Sequence, residues 1–174
     1  MLKKIAFIGS VGSGKTTIIE SLSNITPLRT DVESSRDIGK ELTTVGIDYG
    51  QISLGKEMTL GLYGVPGQRK FSLIWDFVKE GLWAIVILIK NNDQESIDEL
   101  KYLINYFNIN ERIPSVIGIT HTDIISNQDT LTKIKQLLTE LNINIPIFSV
   151  DARESSSAML ILETIIAIDE NINE

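Results

Sequence analysis

Residues 5–17 read Ile5-Ala6-Phe7-Ile8-Gly9-Ser10-Val11-Gly12-Ser13-Gly14-Lys15-Thr16-Thr17, and the chain continues Ile18-Ile19-Glu20. Four apolar residues with strand character give way to a glycine-rich turn, which runs directly into a helix-like segment. The turn has the Gly-x-x-x-x-Gly-Lys-Thr spacing of a phosphate-binding loop, from Gly9 to Thr16. In that arrangement the glycines let successive backbone N–H groups converge on the α- and β-phosphates of a nucleotide. Lys15 reaches the β- and γ-phosphates, and the Thr16 hydroxyl is placed to ligate Mg²⁺. The start of the helix adds its partial positive charge at the same point. Glycine and serine alone would make only a flexible turn; the trailing Lys-Thr and the strand-loop-helix context point to phosphate. Gly9, Val11, Gly12, Ser13, Gly14, Lys15, Thr16 and Thr17 are therefore the candidate phosphate ligands.

Outward from this loop, short apolar runs alternate with longer helix-like segments, the rhythm of an α/β domain. Strands are predicted near 3–8, 46–52, 57–63, 82–90, 114–120 and 145–150, and helices near 15–23, 69–80, 94–108, 128–141 and 156–169. The run Leu82-Trp83-Ala84-Ile85-Val86-Ile87-Leu88-Ile89 is apolar throughout. That is the pattern of a central parallel strand covered by helices on both faces. Residues 47–54 alternate less cleanly, and Gly55-Lys56 gives a hairpin signal before the next strand; this pair should be antiparallel at an edge. The expectation is a three-layer α/β/α fold on a mixed six-stranded sheet, five strands parallel and one antiparallel at the edge. The segment from about 24 to 44, rich in Ser, Asp and Thr, is too long for a passive connection and reads as a functional loop.

Composition narrows the class. The 174 residues suit one domain spanning 1–174, large enough to bury a continuous core unaided. There is no cysteine, which rules out disulfides, thiolate metal sites and a cysteine nucleophile, and leaves a reducing cytoplasm as the expected setting. No apolar run approaches the roughly 20 residues that span a bilayer. The formal charge is −7, and beyond Lys135 the one basic residue is Arg153, so no nucleic-acid footprint is expected. Leu2 in place of glycine and a cysteine-free end at Glu174 give no lipidation signal, so no direct membrane anchor is expected.

Four downstream positions bear on nucleotide chemistry. Thr44 stands at the end of the long loop, where its hydroxyl could bind Mg²⁺ and its N–H the γ-phosphate; the other reading is a β-branched residue opening a strand. The segment Gly64-Val65-Pro66-Gly67-Gln68-Arg69 follows the third strand. There Gly67 can present an N–H to the γ-phosphate and Gln68 can orient an attacking water, although Pro-Gly alone is a turn signal. Thr120-His121-Thr122-Asp123 and Ser149-Val150-Asp151-Ala152-Arg153 close the last two strands, on the carboxyl rim where such sheets bind ligands. Asp123 could accept hydrogen bonds from N1–H and the 2-amino group of guanine, a donor pair that adenine lacks. Ala152 would bring a backbone N–H near O6, with Asp151 and Arg153 beside it. His121 reads either as a flat spacer against the base or ribose or as a loop-end histidine of no function.

Together these motifs resemble the five-motif pattern of the Ras-like small GTPases over essentially the whole chain, and so imply a G domain. The Pro66-Gly67-Gln68 version of the third motif resembles a prokaryotic branch, that of the gliding-motility polarity GTPase and conservon-type GTPases. The resemblance implies GTP and GDP binding with Mg²⁺, slow hydrolysis, and two mobile switches at about 26–46 and 64–80. Lys15, Thr44 and Gln68 would be the catalytic residues, with Thr16 and Thr44 as metal ligands. The partner class it implies is a roadblock-type regulator acting as a GTPase activator. Two positions depart from the family: Gly64 stands where an Asp usually supports Mg²⁺, and His121 replaces a lysine. Arg36 and Arg69 are candidates for a charge supplied in cis, or solvated surface residues. Trp75 and Phe71 read as core or as a partner anchor. A nucleotide-stabilised binding module with little hydrolysis, and an ATP-dependent enzyme on the same loop, are the competing readings.

Overall fold

The computed structural model describes residues 2–33, 44–109, 112–123 and 125–173. Along the chain run β1 (Leu2–Gly9), α1 (Lys15–Leu22), β2 (Leu28–Glu33), β3 (Thr44–Leu54), β4 (Met58–Pro66), a 3-10 turn (Arg69–Phe71) and α2 (Ser72–Lys79). β5 (Leu82–Lys90), α3 (Gln94–Tyr106), β6 (Ser115–Thr120), α4 (Gln128–Glu140), β7 (Ile147–Ser149) and α5 (Ser155–Asn173) follow. One sheet carries all these strands in the order β2-β3-β4-β1-β5-β6-β7.

β4, β1, β5, β6 and β7 pair in parallel, as the sequence implies. Among the described residues the sheet nevertheless has seven strands, not six. The addition is β2, which lies within the segment read as loop and pairs antiparallel with β3. Its sequence, Leu28-Arg29-Thr30-Asp31-Val32-Glu33, is mostly polar. An edge strand has one ladder to satisfy and tolerates charge, so hydropathy conceals it. β3 is thereby second from the edge, antiparallel to both neighbours. β4 also extends through Gly64, Val65 and Pro66, which places Gly64 inside the sheet between Asp48 of β3 and Phe7 of β1.

The strict side-chain alternation of the central strands builds two cores. Ala6, Ile8, Ile85, Ile87 and Ile89 pack with Trp75 and Val78 of α2, Leu100 and Ile104 of α3 and Ile134 of α4. Ile5, Phe7, Ala84, Val86 and Leu88 face the other way, onto Ile18 and Ile19 of α1 and Ala158, Ile161 and Leu162 of α5. Helices thus cover both faces, which explains why β5 is apolar at every buried position. Trp75 is fully buried, its Nε1 donating to the Pro66 carbonyl at 2.7 Å. It is core, not an exposed anchor; Phe71 is half-buried, and the aromatic most exposed on α2 is Phe77. The parallel strands end together, at Gly9, Pro66, Lys90, Thr120 and Ser149, and this rim carries the functional loops.

Candidate functional site

The loop between β1 and α1 has the strained backbone its glycines allow. Gly12 and Gly14 hold positive φ, 74° and 96°, and Gly14 is the residue that turns the chain into α1. Gly9 is needed for space: a Cβ there would lie 2.5 Å from the Leu88 carbonyl oxygen. Ser13 is completely buried. Lys15 folds back over the loop, donating from Nζ to the carbonyls of Gly9 at 2.9 Å and Ser10 at 2.7 Å. Burial pulls its ammonium down from 10.5 to about 8, against the opposing pull of the Asp48 carboxylate. The Thr16 hydroxyl donates to Oδ2 of Asp48.

The loop is also tied to the neighbouring α3. Ser10 Oγ donates to Asp93 at 3.1 Å, and Ser96 Oγ donates to the same carboxylate oxygen at 2.5 Å. Burial pushes the Asp93 carboxyl up, but the hydrogen bonds from Ser96 and Ser10 outweigh it and leave the group below its ordinary value. Neither Asp93 nor Ser96 was apparent as a site residue in the sequence, since an Asp before a helix reads equally well as a cap.

A cleft of about 430 Å³ opens above the loop. Gly12, Gly14, Lys15, Thr16 and Thr17 form one wall, and Thr120, His121, Thr122, Asp123, Val150, Asp151, Ala152 and Arg153 the other. The phosphate-type loop and both base-type motifs therefore share one cavity. Thr120 is buried and donates from Oγ1 to the Ser13 carbonyl at 3.0 Å, locking the two walls together. Its oxygen also lies 2.9 Å from Nδ1 of His121, a residue held at φ 58°. Asn91, at the end of β5, donates to the Ile125 carbonyl at 2.8 Å and fixes the loop that carries Asp123. Arg153 bridges the two acids of this wall, Nη2 lying 3.2 Å from Asp123 Oδ2 and 2.7 Å from Asp151 Oδ2. Hydrogen bonds from Arg153 hold the Asp151 carboxyl down at about 2.

Other candidates sit apart from this cleft. Gly67 and Gln68 line a smaller cavity with Gly9, Ser10 and α3. The Gly67 N–H donates to the Gly9 carbonyl at 2.9 Å, so in this conformation it is engaged by the loop itself. Val11 projects into solvent from the loop tip, 78% exposed. Arg69 turns toward α3, pairing with Glu99 at 2.8 Å and lying over the Tyr102 ring, and supplies no charge to the cleft. Thr44 opens β3 opposite Glu33; its side chain and residues 34–43 of the long loop, Arg36 among them, lie outside the described residues. Among the described residues no cluster of three or more His, Cys, Asp or Glu side chains could hold a metal alone, and no helix is long and apolar enough to cross a membrane.

No family model matches the chain. It is 24% identical over 143 residues to ADP-ribosylation factor K of Dictyostelium discoideum, covering 81% of this chain and 68% of that one. To ADP-ribosylation factor J of the same organism it is 26% identical over 98 residues, 56% of this chain and 46% of that one. This distant similarity supports a small GTPase. The mixed sheet with helices on both faces agrees with a small-GTPase fold.

Proposed function

We propose that this protein is a small GTPase acting as a guanine-nucleotide-dependent switch, which binds GTP and GDP with Mg²⁺, hydrolyses GTP to GDP and phosphate, and signals through the segments at about 26–46 and 64–80. The observation that carries the proposal is the single cleft in which Lys15 and Thr16 face Asp123 and Ala152. A phosphate cradle alone would suit any nucleotide. A carboxylate at the far wall selects a base with paired donors, which guanine has and adenine lacks.

Roles follow from placement. The amides of Gly12 to Thr16 would hold the α- and β-phosphates, and Lys15 would leave the Gly9 and Ser10 carbonyls to pair with the β- and γ-phosphates. Thr16, joined by Thr44 from the start of β3, would hold the Mg²⁺. That fit rests on a hydroxyl at the phosphate end already polarised by a carboxylate, and bound Mg²⁺ would neutralise phosphate charge. Gly67 would exchange its bond to Gly9 for the γ-phosphate, carrying Gln68 and α2 with it. Gln68 would then position the water for in-line attack, so that catalysis comes mainly from placement and charge. Asp123 would read the base edge, with Ala152 at O6 and His121 and Thr120 as the floor.

The Pro66-Gly67-Gln68 motif favours the prokaryotic branch named above, and with it a roadblock-type activator as the regulator. A second reading, a nucleotide-stabilised interaction module, draws on the seating of Gln68 outside the main cleft. Single-turnover phosphate release from loaded GTP decides between them. Release that slows at least about tenfold in Gln68→Ala, with GTP binding retained, supports the switch. GTP that persists unchanged in parent and variant supports the module.

A further inference from the structure

Two observations meet at the Thr16 hydroxyl. Its proton is given to Oδ2 of Asp48, and Asp48 belongs to β3, where it pairs across the ladder with Gly64 of β4. A Cβ added at Gly64 would lie 3.0 Å from Asp48 Cβ and 3.2 Å from Asp48 Oδ2. The carboxylate of the neighbouring strand thus takes up the space that a side chain at 64 would need.

We propose that Asp48 is the positioning carboxylate of the Mg²⁺ end of this site, supplied from β3 because β4 offers only Gly64. The inference rests on the Mg²⁺-nucleotide reading above. A hydroxyl that ligates a cation does so through a lone pair, and its proton must go to some other acceptor. Asp48 already accepts it, which turns the free lone pairs of Thr16 Oγ1 away from β3. Acceptors of this kind hold a ligand in its binding orientation and raise its basicity. Mg²⁺ ordinarily keeps several waters and takes few direct protein ligands, so a carboxylate behind Thr16 suits it.

The alternative role, an ion pair with Arg29, does not account for the placement. Arg29 Nε stands 3.9 Å from Asp48 Oδ1, on a side chain 72% exposed, whereas Asp48 is 17% exposed and gives its other oxygen to Thr16. An exposed pair at that distance is worth little. The field of Asp48 is also felt at Lys15, on the same phosphate cradle.

The test is release of a fluorescent GDP from full-length protein as Mg²⁺ is titrated. In the parent, Mg²⁺ slows release. Asp48→Asn keeps the shape and an acceptor for Thr16 but removes the charge, and the Mg²⁺ concentration for half-maximal slowing should rise about 10–100-fold. A second variant, Asp48→Ser with Gly64→Asp, carries the carboxylate across the ladder to β4 and should return the requirement to within about tenfold of the parent. An Asp48→Asn requirement within about threefold of the parent's, or a double variant no better than Asp48→Asn, overturns the inference. A parent that holds GDP with no Mg²⁺ dependence overturns it while leaving nucleotide binding intact. A parent that binds no guanine nucleotide overturns both.

Discussion

Replacing Lys15 by Met should stabilise the nucleotide-free protein at neutral pH, and the gain should turn into a loss as the solution becomes alkaline. The Lys15 ammonium is lowered from 10.5 to about 8, chiefly because it is buried. At 1.36 kcal/mol per pH unit the folded state therefore carries a penalty of up to about 3 kcal/mol for keeping this group charged. The Met side chain avoids that penalty but removes the Nζ hydrogen bonds to the Gly9 and Ser10 carbonyls, which keep the Gly67 and Ser13 amides as donors, at about 1 kcal/mol for each bond lost. The net gain below pH 8 is then about 1 kcal/mol, or roughly 2–4 °C in Tm for a chain of this size. The sign of the pH dependence is independent of that offset. Between pH 8 and 10.5 the unfolded lysine holds a proton that the folded one has lost, so the parent gains stability with rising pH relative to the variant. Subtracting the two curves cancels the titration of groups they share. Thermal melting of both proteins at pH 7 to 10.5, free of nucleotide, measures the difference; a constant difference across that range would mean that folding does not perturb the Lys15 ammonium.

Other outcomes follow from burial and geometry. Trp75→Ala empties a fully buried site and removes a donor to the Pro66 carbonyl, and should cost about 3–5 kcal/mol in denaturant unfolding; a loss below 1 kcal/mol contradicts its place in the core. Gly9→Ala forces a methyl group to 2.5 Å from the Leu88 carbonyl oxygen and should weaken GDP binding, read by titration, by at least about tenfold as the loop shifts off β5. Arg153→Ala removes an exposed bridge between Asp123 and Asp151 and should leave the melting temperature essentially unchanged, because solvent screens such a pair. A larger drop in the melting experiment would mean that the bridge holds the cleft wall together.

The loop at 9–16 and the central strand at 82–90 were legible because each has one dominant physical reading: glycines ahead of Lys-Thr, and an unbroken apolar run. Asp123 and Ala152 followed once those were placed, since strand ends on one rim must lie near each other. β2 was not legible, because Arg29, Asp31 and Glu33 on an edge strand look like loop. Asp48 was missed for a different reason. In sequence it is one acid in an imperfect alternation, and it acquires a role only when the β3–β4 register sets it opposite Gly64. Counting back from the turn at Gly55 would have exposed that pairing. Asn91, Asp93 and Ser96 act by holding other segments in place, and spacing carries no mark of that.

If one cleft joins a phosphate cradle to a guanine-reading carboxylate, nucleotides with and without guanine must compete unequally for it. Fluorescent GDP bound with Mg²⁺ is challenged with unlabelled GTP, GDP and ATP, in the parent and in Asp123→Ala. GTP and GDP should displace the probe at least about 10³-fold more effectively than ATP in the parent, and the gap should narrow sharply in the variant. Displacement by ATP as readily as by GTP, or a guanine preference untouched by the loss of Asp123, would mean that Asp123 does not read the base.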